Sequence, residues 1–444
     1  MSIVDNVKAA GVIGAGGAGF PTHVKLNAKA EYVLLNGAEC EPLLRVDQQL
    51  MAIYPKEVIE GLRLAGEQVG ADKAIIGIKV KHHEAIKILR NTIKEMGLDN
   101  YMSVHELHDI YPAGDEQVLV YECTKRVVPE MGIPLNVGCV VVNTETAINI
   151  YNAQSGRPVT EKYVTIAGDV PRPITVKVPV GSPIRDLLKL AGREDLTGYK
   201  VIDGGPMMGP LLFNLDGYVT KKTKGLLVFK EDHGLIARKQ KKMKGASLLN
   251  KTACEQCRIC TDLCPRYLLG HGTSPHKMVR AMGFNIEADE QVTVAQTCCQ
   301  CNLCEYFSCP AEINPKMANV YYMMELRNKG IKHQPTKEVF MPRSMRDYRL
   351  VPSKRLMGKL DILDYDAPAP LDESIEYSPK MVGITLSGHV GAPATAVVKP
   401  GDTVSVGQVI GELPEGGLSA RVHSSVNGVV ESIDAGVVKI RRNG

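Results

Sequence analysis

Hydrophobic positions recur at two different periods along the chain, and the changes of period mark its modules. KAIIGIKV (73–80) is a continuous apolar run rich in β-branched residues, the pattern of a buried strand. On either side lie PKEVIEGLRLAGEQVG (55–70) and HHEAIKILRNTIKEMG (82–97), whose apolar residues fall at helical spacing. EYVLLNGAECEP, MSVHEL and GCVVVNTETAINIYN repeat the strand signal, the last running directly into a helix. Strands alternating with helices over residues 1–155 predict a parallel sheet covered on both faces, a Rossmann-like α/β domain. Ligands of such sheets sit at the carboxyl ends of the strands. NGAECEP (36–42), YPAGDEQ (111–117) and NTET (143–146) all fall at those ends.

The pattern changes at residue 156. VTIAGDV and ITVKVPV alternate as strands, a helix starts after Ser182-Pro183, and KVIDGG and KGLLVF supply further strands. Residues 156–235 therefore read as a small β-grasp domain. Residues 236–350 are mostly helical, with Met278, Val279 and Met282 on one side of SPHKMVRAMGF and a second helix entered through Asn314-Pro315. Residues 351–377 carry many Pro, Asp and Arg residues and read as a linker. Residues 378–444 are short β-runs separated by Gly-containing turns, an all-β module.

The chain has 444 residues, enough for about three domains or more. A net charge of +4, no Trp and only 6 Phe argue against nucleic acid as a partner. No apolar run reaches the ~18 residues of a membrane helix, and the N-terminus lacks a signal-peptide pattern. A cytoplasmic protein is expected, with a peripheral place at a membrane complex left open. ARKQKKMKG (237–245) is a basic run without an acid. It reads either as a solvated linker or as a docking patch for an acidic electron carrier such as a flavodoxin.

Chemistry enters with the cysteines. Of 12, eight fall in two runs: Cys254-x2-Cys257-x2-Cys260-x3-Cys264-Pro265 and Cys298-x2-Cys301-x2-Cys304-x4-Cys309-Pro310. Three close thiolates wrap one iron–sulfur cube, and the fourth, before proline, reaches across to the other. That places one [4Fe–4S] cluster on Cys254, Cys257, Cys260 and Cys309, and the other on Cys298, Cys301, Cys304 and Cys264. Structural zinc, with its separated ligand pairs, fits the spacing poorly, and disulfides would need an oxidising compartment, to which nothing in the sequence points. The second run has one residue more than the usual spacing before its last cysteine. Cys299 is a spare thiol or an alternative to Cys298, and the spacing to Cys301 favours Cys298. With eight cysteines available, His271 and His276 are not needed as ligands. No acid–base triad is found.

Five glycines, Gly11, Gly14, Gly16, Gly17 and Gly19, lie within nine residues of GVIGAGGAGFPTHVKL. Such a backbone approaches a phosphate or a flat ring closely, though the spacing is neither a P-loop nor a clean dinucleotide fingerprint. Taken in order, GAGGAGFPTHVKL, NGAECEP, YPAGDEQ and NTETA resemble the flavin-binding module shared by RnfC and the flavin subunit of complex I. The resemblance implies non-covalent FMN. Gly14, Gly16, Gly17 and Gly19 would approach its phosphate and ring, Lys25 would neutralise charge, and Asn36, Glu39, Tyr111, Glu116, Asn143 and Thr144 would line the polar rim. Residues 156–235 resemble the SLBB module. Residues 378–444 resemble a barrel-sandwich hybrid of the biotinyl/lipoyl type, but Ser424-Ser425-Val426-Asn427-Gly428 offers no lysine to modify, so a structural or docking role is expected.

The order flavin–SLBB–dicluster–sandwich, with the β module after the clusters, resembles the PduS-type cobalamin reductases of propanediol-utilising microcompartments. That resemblance implies an NADH-dependent oxidoreductase passing electrons through FMN and two [4Fe–4S] clusters to a corrinoid. It also implies a corrinoid enzyme or adenosyltransferase as partner, a shell protein as a further contact, and a place inside a bacterial microcompartment. Two alternatives stand beside it: an RnfC-like subunit working with a ferredoxin, flavodoxin or membrane partner, and a scaffold with static clusters. NADH and NADPH are not distinguished.

Overall fold

A computed structural model describes residues 2–241, 243, 245–335 and 337–443. The first module is built on a four-stranded parallel sheet in the order Met102–Leu107, Lys73–Lys79, Tyr32–Gly37, Cys139–Asn143. Strand alternation sends successive side chains to opposite faces. Val33, Leu35, Ala74, Ile76, Ile78, Val140 and Val142 pack under helices Pro55–Val69, His83–Glu95 and Thr144–Gln154. Leu34, Leu107, Cys139 and Val141 face the other way, against Leu119 and Val120 of helix Glu116–Thr124. The doubly covered parallel sheet expected from the sequence is therefore present, and its carboxyl rim is left to loops.

The second module is a five-stranded sheet, Ile174–Pro179, Glu161–Gly168, Gly225–Lys230, Tyr199–Asp203, Leu211–Leu212, with helix Ile184–Leu190 buried against it through Leu187 and Leu188. The third is helical. Met278, Val279 and Met282 are all buried, as the pattern of SPHKMVRAMGF predicts, and meet Ala318, Tyr322 and Leu326 of helix Pro315–Asn328. In that second helix the methionines are peripheral, Met324 being exposed, and the wholly buried Tyr322 fills the centre.

The connecting stretch 351–377 is ordered on its neighbours. Val351–Pro352 pairs antiparallel with Ile110–Tyr111, and helix Ser353–Lys359 buries Leu356 and Met357. Arg45 and Gln49 reach the carbonyls of Ala367 and Ala369. These contacts bridge more than 300 residues of sequence, which a local composition signal cannot register.

The C-terminal module is a pair of small sheets around Val382, Ile384, Ile410, Val430, Val438 and Ile440. Its turn 424–428 is pressed inward: Ser424 and Ser425 are buried, and Ser425 Oγ donates to Val180 O of the second module at 2.5 Å. A turn so placed serves as a docking surface, in keeping with its lack of a lysine.

The same module buries His423, and desolvation, helped by the Lys221 ammonium, pushes that imidazole from 6.5 down to about 3. Below pH 6.5 the unfolded chain takes up a proton that the folded chain refuses. Stability is therefore complete above that pH and declines on acidification, by about 1.4 kcal/mol per pH unit for this group. The thermal midpoint should fall as pH drops from about 6 to about 4, and His423→Gln should flatten that part of the profile.

Candidate electron-transfer site

The glycine-rich loop lies across the end of the parallel sheet. Gly14 N donates to Phe20 O at 3.0 Å and closes it. Ala15 N donates to Thr146 Oγ1 at 2.9 Å, tying it to helix Thr144–Gln154. Lys162 of the second module donates to Ala15 O at 3.3 Å while paired in the interior with Glu145. A Cβ on Gly16 would stand 3.0 Å from the Asn143 amide nitrogen, whereas one on Gly17 would meet nothing within 4 Å. The crest of the loop thus faces open space with its backbone free of side-chain cover.

Around it the three rim loops interlock. Asn36 and Asn143 are register partners on adjacent strands. Asn36 Nδ2 donates to Gly114 O at 2.8 Å, and Gly114 N donates to the Cys40 thiol. Thr144 Oγ1 lies 3.5 Å from Asn36 O. Lys25 donates to Val141 O at 2.9 Å and stands 3.7 Å from Glu116 Oε1. Glu39, which the resemblance puts on the rim, also serves the next helix. Its carboxylate accepts from Asp47 N at 2.8 Å and Gln48 N at 3.3 Å, capping helix Val46–Ile53. Burial first, and then Asp47, hold its carboxyl above the usual range. Glu41 likewise accepts from Met207 N and Met208 N at 2.8 and 2.9 Å, joining the first module to the second. Glycine backbone, amides and a lysine on one open rim are a donor set that fits a flavin mononucleotide.

The eight cysteines gather in two groups that cross the two runs. Cys254, Cys257, Cys260 and Cys309 line one cavity with Val279, Pro310 and Ile313. Burial pushes the Cys260 thiol up to about 12, and the nearby Cys309, Cys257 and Cys254 add to this. Burial likewise raises Cys304 far up, with Cys298 and Cys264 as its neighbouring thiols. Cys264 is raised by burial and then by Cys299 and Cys298. Among the described residues no three potential ligands converge on a point suited to a single metal ion. Four thiols around one shared cavity, as at Cys254, Cys257, Cys260 and Cys309, fit a cube.

The backbone of the two runs repeats. Gln256 and Arg258 have φ of 52° and 64°, and Gln300 and Asn302 have φ of 57° and 62°. Superposing these left-handed residues sets Cys298 opposite Cys254, which supports Cys298 over Cys299. The additional residue before Cys309 is absorbed locally: Leu303–Ser308 is a turn of π-helix, where the first run has the α-turn Ile259–Asp262.

The second group of thiols abuts the flavin rim. The buried Tyr111 hydroxyl donates to Cys301 O at 2.8 Å. Asp115, from the same YPAGDEQ loop, accepts two bonds from the guanidinium of Arg266, which neighbours Cys264 and Cys299. Tyr111, Cys40, Cys299 and Cys301 belong to one packed cluster. The first group is the more exposed: Cys257 is exposed, Cys254 and Cys260 half-buried and Cys309 buried, whereas in the second Cys264, Cys301 and Cys304 are buried and Cys298 half-buried.

The basic run is spent on internal joints. Arg238 donates to Tyr306 O and pairs with Glu312, Lys239 donates to Gly209 O, and Lys241 donates to Glu312 O. Desolvation lowers Lys239 to about 8. Lys242 and Lys244 lie outside the described residues. These three residues are thus engaged within the fold: Lys239 ties the second module to the third, while Arg238 and the exposed Lys241 bond within the third. Sequence reasoning also missed Lys162 and Lys222, which come to the glycine loop from the second module, and no local motif announces either.

Comparison with known proteins follows these modules. The Nuo51 FMN-binding domain family matches residues 7–152, the SLBB domain 163–211, the 4Fe-4S dicluster domain 253–314, and the RnfC barrel sandwich hybrid domain 372–442. The chain is 43% identical to a protein named cobalamin reductase PduS from Citrobacter freundii, over 98% of this chain and 95% of the other. It is also 43% identical to that of Salmonella typhimurium, over 99% and 96%. A component of the Na(+)-translocating ferredoxin:NAD(+) oxidoreductase complex of Acetobacterium woodii is 37% identical over 58% of this chain and 56% of its own. Among the described residues no helix is long and apolar enough to cross a membrane. With near-full-length identity above two-fifths and the same four modules, this chain belongs to the PduS cobalamin reductase family of flavin and iron–sulfur oxidoreductases.

Proposed function

We propose that this chain reduces a corrinoid with electrons from NADH, through FMN and two [4Fe–4S] clusters. The observation that carries the reading is spatial order. The Tyr111–Cys301 hydrogen bond joins the open rim to one thiol group, Cys304 of that group has Cys260 of the other as a neighbouring thiol, and the other group carries the exposed Cys257, which supports that order. FMN exchanges a hydride for single electrons when bound, and the clusters pass electrons singly. The glycine loop and Lys25 would hold the flavin, with Asn36, Tyr111, Glu116, Asn143 and Thr144 around it. Cys264, Cys298, Cys301 and Cys304 would hold the inner cluster, and Cys254, Cys257, Cys260 and Cys309 the outer one. Leu303 and Tyr306, both buried, keep water from the inner group. The exposed Cys257 marks the exit face, where a one-electron acceptor comes closest. A corrinoid-alkylating enzyme such as an adenosyltransferase would consume the product, and enclosure in a microcompartment follows the family.

Anaerobic incubation of the cluster-loaded protein with NADH, cob(III)alamin and an alkylating trap should give alkylcobalamin at a rate proportional to protein. Ferredoxin reduction without alkylcobalamin would contradict the corrinoid reading and favour the RnfC-like one. Clusters that neither NADH nor dithionite reduces would leave only a scaffold.

A further inference from the structure

The segment Lys221-Lys222-Thr223-Lys224 of the second module lies against the glycine-rich loop, and its three lysines have different fates. Lys221 Nζ donates to Gly11 O at 2.7 Å and to Arg421 O at 3.0 Å, bolting the first module to the last. Lys224 pairs with Asp47 in the interior. The Lys222 ammonium takes part in no ion pair or hydrogen bond among the described residues. Its backbone N–H is the group that bonds, to Thr220 Oγ1 at 3.2 Å.

The Lys222 stem lies on the glycine loop itself. Gly19 has φ +79°, and a Cβ there would fall 2.8 Å from Lys222 Cδ and 3.1 Å from Gly388 O. Gly19 O accepts from Val390 N at 3.0 Å, so the last module holds the loop down from the far side. The loop is thus gripped at Gly19 between Lys222 and residues 388–390, while Gly17 faces open space. Asp203 and His389 are the titratable neighbours of Lys222; Asp203 is shared with Lys162. A half-buried cation packed beside the backbone N–H groups of Gly16 to Gly19, which donate no hydrogen bond among the described residues, is the arrangement that receives a phosphoryl group.

We propose that Lys222, a residue of the second module, is a phosphate-binding cation of the flavin site. The phosphoryl group is either that of FMN or the diphosphate of the nicotinamide dinucleotide, and in both cases the site is completed across two modules. The inference rests on the FMN reading of the first module.

The test uses the full chain stripped of flavin, with fluorescence titration by FMN, riboflavin and ADP-ribose. Lys222→Met should weaken FMN about tenfold or more, leave riboflavin unchanged, and be restored by Lys222→Arg, as loss of one charge-assisted contact requires. If the diphosphate is the group held, ADP-ribose should weaken by a similar factor and FMN stay unchanged. Equal weakening of FMN and riboflavin would mean that Lys222 only shapes the loop and would overturn the assignment, as would no change in any titration. A wild-type chain that takes up neither flavin would overturn the FMN reading itself, a result distinct from failure at Lys222.

Discussion

Cys264→Ala should abolish corrinoid reduction while leaving NADH-dependent reduction of ferricyanide, which takes electrons directly from the flavin. Cys264 stands in the first cysteine run but has Cys298, Cys299 and Cys304 as its neighbouring thiols. Its removal should therefore empty the inner site and spare the outer one, so that iron falls from about eight to about four atoms per chain. Cys309→Ala should do the reverse, because Cys309 lines the cavity of Cys254, Cys257 and Cys260. The two variants share the same iron content and differ in which site survives. Mössbauer or EPR signatures of the remaining cluster should separate them. Identical signatures would contradict the crossing of the two runs.

Asp115→Ala should cost about 3–5 kcal/mol, the usual penalty for stranding one member of a buried ion pair. Arg266 is 8% exposed, and its guanidinium donates to both Asp115 oxygens, one at 2.9 Å. Asp115 also caps helix Glu116–Thr124 through Gln117 N and Val118 N. Its loss thus removes a helix cap along with the charge partner of Arg266. Asp115→Asn should keep the cap and lose less. The double variant Asp115→Asn/Arg266→Met should recover part of the loss, since no charge is then left unpaired. Thermal unfolding of the cluster-loaded protein measures all three. Because this pair joins the flavin rim to the inner thiols, the single alanine variant should also slow electron passage between them.

Much of this molecule is legible in its sequence because its signals are local. The strand–helix alternation of residues 1–155 announces a parallel sheet, and loops rich in Gly, Asn and Glu announce the rim. The cysteine spacing announces two cubes. What sequence leaves open are matters of distance along the chain. A π-turn at Leu303–Ser308 accommodates the additional residue before Cys309, and only backbone geometry reveals it. Glu39 sits in a rim motif yet serves the N-terminus of the next helix, because capping depends on where residues 46–48 return. The run 237–245 carries the composition of a solvated face, but Arg238 and Lys241 find carbonyls some 70 residues on in the third module, and Lys239 one in the second. Lys162 and Lys222 approach a loop some 150 and 200 residues upstream, beyond the reach of periodicity. The stretch 351–377 has a linker's composition and an ordered path, since its hydrogen-bond partners at Arg45, Gln49 and Ile110 lie on the opposite end of the sequence.

In the proposed path the inner cluster lies between the flavin and the outer cluster. Rapid-freeze EPR of Cys264→Ala mixed with NADH checks this order. The outer cluster should remain unreduced on the time scale of wild-type turnover, yet accept an electron from dithionite. Reduction of that cluster by NADH at the wild-type rate would contradict the order.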